Sequence, residues 1–104
     1  MPFRRARFAD VVSRQLRLFV EENADLLQEC DEALARYEAA GRDEAEELYG
    51  DYLDAVETGT EALADMRDAF ARTLGDEEAE RYVAEFNRTV AKRLPPFGLE
   101  IENR

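Results

Sequence analysis

The chain has 104 residues, room for one domain and one modest core, and Ala, Glu, Lys, Leu and Arg supply 57 of them, the composition of long helices. With no histidine and one cysteine it can assemble no Ser-His-Asp or Cys-His nucleophile, no zinc site of Cys and His ligands and no Glu-x-x-His di-iron centre. The net charge of −11 argues against a phosphate-binding face, so no nucleic-acid partner is expected.

The first predicted helix covers about residues 3–40. Phe8, Val12, Leu16, Phe19, Asn23, Leu26, Cys30, Leu34 and Tyr37 follow one another in steps of three and four, the signature of one apolar stripe. No breaker interrupts that spacing before Gly41. Asn23 is a polar residue on the stripe, suited to fixing register, and Cys30 reads as a buried structural thiol.

A second helix is predicted over about 43–74, opened by the capping-box pair Asp43 and Glu46. Its stripe, Leu48, Tyr52, Val56, Gly59, Leu63, Met66, Phe70 and Thr73, keeps phase through Gly59, so one continuous helix is expected. Gly59 is read as room for a close neighbour.

A third, shorter helix is predicted over about 77–94, with Asp76 as its cap, Glu77 and Glu78 in its first turn and Lys92 and Arg93 in its last. Pro95 and Pro96 stop it. Residues 1–94 thus read as a single helical domain and 95–104 as a C-terminal tail carrying Phe97, Leu99 and Ile101. No run is apolar enough to span a bilayer or form a signal-peptide core, and with a lone cysteine there is no disulfide framework. A cytoplasmic protein without a membrane partner is the corresponding expectation.

The expected fold is all-α: a long antiparallel hairpin, about 3–40 and 43–74, plus the shorter helix of about 77–94. The third helix reaches only halfway along the hairpin. The other half, carrying Leu27, Leu34, Tyr37, Leu48, Tyr49, Tyr52, Leu53 and Val56, holds more apolar residues than one seam needs. Uncovered stripes of that size mark partner surfaces. Four-helix packing of two hairpins in a homodimer is therefore expected, with a folded-back tail as the competing way to fill the gap. Charge is segregated too: residues 1–20 balance to +4 and residues 21–80 to −17. Arg4, Arg5, Arg7, Arg14 and Arg17 are expected to lie beside Asp65, Asp68 and the acidic start of the third helix and to be neutralised there.

One constellation suggests chemistry. Glu21, Glu22 and Asp25 on the first helix and Asp51 and Asp54 on the second have helical spacings that would bring four carboxylates, Glu22, Asp25, Asp51 and Asp54, toward one another. The pattern distantly resembles the Glu-Glu-x-x-Glu … Glu-x-x-Asp signature of the MazG-type all-α nucleotide pyrophosphohydrolases. Asp25 replaces the third Glu and Asp51 the first residue of the second motif. The resemblance implies Mg²⁺ held by these carboxylates and a nucleotide phosphate substrate. The leading expectation is nevertheless a non-catalytic oligomerisation or protein-interaction module with no cofactor. The hydrolase is the first alternative, and an acidic decoy for a basic DNA-binding protein the second.

Overall fold

The computed structural model describes residues 7–104, and among these it is all-helical. Five α-helices follow one another: α1 (Ala9–Glu22), α2 (Ala24–Glu38), α3 (Arg42–Ala71), α4 (Asp76–Arg93) and α5 (Gly98–Glu102), with a 3₁₀ turn, Pro95–Phe97, before the last. The helical portion of the chain measures 55 × 24 × 22 Å, a rod whose long axis is set by the 30-residue α3.

The first predicted helix is two. Asn23 leaves helical geometry (φ −121°, ψ 31°), its backbone N–H donates to the Phe19 carbonyl at 2.9 Å, and its side-chain amide donates to the same oxygen at 2.9 Å. Side-chain competition for backbone acceptors is the ordinary reason Asn disfavours a helix interior. The apolar period survives because the interruption adds no residue. The periodicity therefore read as one helix.

That break changes the packing. α2 lies along α3, whereas α1 turns away and packs chiefly on α4. The space that α1 would have filled against α3 is taken by Phe97, in edge-on contact with Phe19 at a ring-centroid distance of 6.1 Å. Phe97 lies over Gly59, where an added Cβ would come within 2.5 Å of its ring. The helix passes through Gly59 unbroken, as the phase of its stripe predicted, and the close neighbour is the end of the chain.

Residues 95–104 are thus no loose tail. Phe97 and Ile101 are fully enclosed while Leu99 points to solvent. Gly98 packs so closely on Ala91 that a Cβ would sit 3.0 Å from its Cα. Arg67, a charged residue within α3 that is only 3% exposed, reaches across to the Ile101 carbonyl (3.0 Å) and to Asn87 Oδ1 (3.0 Å), and its Nε donates to Asp68 Oδ1 at 2.8 Å. Three acceptors from α3, α4 and α5 satisfy a buried guanidinium and fasten the chain end.

The core occupies the α4 end of the rod: Val12, Leu16, Phe19, Leu63, Tyr82, Phe86, Val90, Phe97 and Ile101. Tyr82 is its largest fully buried side chain, packed among Phe8, Phe70 and Phe86, with its hydroxyl donating to Gln15 Oε1 at 2.7 Å. The helix starts differ slightly from expectation. Gly41 and Gly75, not Asp43 and Asp76, stand at the N-caps of α3 and α4, leaving the acids in the first turns where the helix dipole favours them.

Candidate functional site

Beyond Gly59 the rod thins to two helices. α2 and the first half of α3 project as an arm, because the 3₁₀ turn and α5 fold back toward Arg67 rather than forward over α3. Along α3 the positions Tyr49, Leu53, Val56, Thr60, Leu63 and Arg67 form one stripe in steps of four and three. In the body this stripe is sealed: Val56, Thr60, Leu63 and Arg67 are at most 3% exposed. In the arm its continuation, Tyr49 and Leu53, is 43% exposed at each residue. The same face is core at one end and solvent-facing at the other.

Around this open face the tyrosines cluster. Tyr37 and Tyr49 have ring centroids 5.0 Å apart, and Tyr49 and Tyr52 6.2 Å. Leu27, Leu34, Tyr37, Leu48 and Tyr52 are half-buried in the α2–α3 seam. Val56, also expected at the surface, is buried: it stands at the junction where the body's covering layer begins. Burial raises the Tyr52 phenol above its ordinary range, assisted by the nearby Cys30, Tyr49, Asp31 and Glu38. Cys30 is enclosed within the arm, and burial together with Glu29 and Asp31 pushes its thiol up, away from the nucleophilic thiolate.

The four carboxylates singled out for metal binding are not gathered. The break at Asn23 separates Glu22, at the end of α1, from Asp25, in the first turn of α2, and destroys the i, i+3 relation that would have put them on one edge. Asp51 and Asp54 line a groove of about 410 Å³ between α2 and α3, floored by Ala33 and Ala55 and shared with Glu29 and Arg36. Among the described residues no group of three or more His, Cys, Asp or Glu side chains is arranged to hold a metal ion. Among them, too, no helix is long and apolar enough to cross a membrane.

Charge remains segregated in space. Residues 24–58, the arm, hold twelve acids against Arg36 and Arg42. Among the described residues the only arm carboxylate in an ion pair is that of Glu57, 3.5 Å from Arg104. At the other end Arg7 pairs with Glu78 at 3.4 Å, as expected, whereas Arg14 and Arg17, expected to be neutralised as well, pair with no carboxylate among the described residues. Arg93 donates to the Ser13 hydroxyl at 2.9 Å. Arg4 and Arg5 lie outside the described residues. No family model matches the chain, and comparison with curated proteins and with solved structures finds no match.

What sequence reading missed is the fastening of the chain end. Arg67 stands one residue past Met66 of the assigned stripe and one turn past Leu63, and its charge read as solvent-facing.

Proposed function

We infer that this protein is a helical protein-interaction module that self-associates, using the open face of the α2–α3 arm as its contact surface. The observation that carries this reading is the continuity of the α3 stripe from a sealed core into Tyr49 and Leu53, each 43% exposed. An apolar stripe is covered where a fold is complete, and burying two such residues with their half-exposed neighbours gives the free energy of association. Tyrosines suit the purpose, because their rings bury area while the hydroxyl stays wet.

A module of this kind gains stability from its own concentration, since association favours the folded state by mass action. The melting temperature of the full chain is expected to rise with protein concentration. In the double variant Tyr49→Glu with Leu53→Glu, that dependence is expected to vanish while the low-concentration melting temperature is retained. A wild-type melting temperature independent of concentration would contradict the reading. Pyrophosphohydrolase chemistry at Glu22, Asp25, Asp51 and Asp54 gains no support from their separate placement.

A further inference from the structure

We propose that the occupant of the open arm is the outward face of α1 in a second copy of the chain, with two copies lying antiparallel so that each arm meets the other's α1. The proposal rests on the self-association reading above and names the surface that the arm contacts. Two arms meeting each other, the simplest four-helix arrangement, would bring two sets of twelve acids together, each relieved by only two arginines. Like charge at an interface opposes association unless salt screens it.

The complementary surface is elsewhere in the same molecule. One flank of α1 carries Leu18, 46% exposed, and the half-buried Val11, which also packs on the core; with Gln15, Glu21 and the exposed Arg14 and Arg17 they surround a shallow depression of about 400 Å³. Among the described residues neither arginine is paired with a carboxylate. The first twenty residues, which include this face, balance to +4. Apolar residues beside free arginines match an arm on which Tyr49 and Leu53 share α3 with the exposed Glu46, one turn before Tyr49, while the exposed Asp31 and Glu38 lie near Tyr52. Within one chain the two surfaces cannot meet, because α1 packs on α4 in the body of a 55 Å rod and the arm projects from the opposite end. Two antiparallel copies bring them together twice, a closed isologous arrangement in which each surface contacts its complement.

Sedimentation velocity on the full chain decides the matter with two charge-reversed variants at exposed positions, Arg14→Glu with Arg17→Glu, and Glu38→Arg with Glu46→Arg. Circular dichroism checks that both remain folded. Each variant alone is expected to dissociate about tenfold more readily than wild type, from lost attraction and new repulsion at both copies of the contact. An equimolar mixture is expected to recover the dimer, since acidic arm then meets basic α1 and basic arm meets acidic α1. Raising salt from about 0.05 M to about 1 M is expected to weaken the wild-type dimer. A wild-type dimer unaffected by Arg14→Glu with Arg17→Glu and strengthened by salt would overturn the proposal in favour of arm-on-arm contact, leaving the self-association reading intact. A wild-type chain that stays monomeric throughout would overturn both.

Discussion

Two glycines in α3 show how the same residue does opposite things according to its surroundings. Nothing lies within 4 Å of a Cβ added at Gly50, whereas one added at Gly59 strikes the Phe97 ring. Gly50→Ala is therefore expected to stabilise the chain by about 1 kcal/mol through helix propensity alone. Gly59→Ala receives the same propensity gain but must displace a ring that is itself 1% exposed, and overpacking of about 1–3 kcal/mol outweighs it. Thermal melting of the two variants should move in opposite directions. Tyr82 supplies a pH dependence. Burial, the largest cause, pushes its phenol up to about 12, against the charge of Arg67, which lowers it. The unfolded chain releases that proton near its ordinary value of about 10, while the folded chain retains it. Its contribution to stability is thus full below about pH 10 and falls as pH rises toward 12. Melting curves across that range should fall less steeply for Tyr82→Phe than for wild type. At neutral pH the variant should lose about 1 kcal/mol with the hydrogen bond.

At the level of elements, the sequence was most legible where periodicity and breakers agreed. The continuous helix through Gly59, the stop at Pro95 and the turns near Gly41 and Gly75 all follow from spacing and residue type. Asn23 was not legible in this way, because a break that inserts no residue leaves the apolar phase untouched, and its cause is a side-chain hydrogen bond that spacing does not encode. The chain end was half legible: its three apolar residues were visible, but Arg67, although in phase with Leu63, carries a charge that ordinarily faces solvent. Arg67 and Phe97 now explain why five residues, Gly98–Glu102, hold a helix far too short to be stable alone. Phe97→Ala is expected to cost about 3–5 kcal/mol. Arg67→Ala leaves the Ile101 carbonyl and Asn87 without their donor and should cost about 3 kcal/mol. In both variants hydrogen exchange should show α5 opening before α3 does. Simultaneous loss of protection throughout the molecule would contradict this division.

For the whole molecule, the mismatch between a 30-residue α3 and a covering layer that ends at Phe97 governs the shape. The folded-back chain end does cover α3, but it seals the middle of the rod and leaves Tyr49 and Leu53 open. That one half of α3 lacks a third layer was legible because helix lengths and turn positions already set it. Val56 was misplaced because the position of Phe97 depends on the Asn23 break. The carboxylate constellation failed for the same reason, as its i, i+3 spacing on the first helix ran across that break. The central claim is that the exposed continuation of the core stripe is a contact surface. Absolute mass by light scattering tests it most directly, on wild type and on Tyr49→Glu with Leu53→Glu over a range of concentrations. Wild type is expected at twice the 11.9 kDa chain mass and the variant at the chain mass. A wild-type protein that remains at the single-chain mass at every concentration would contradict it.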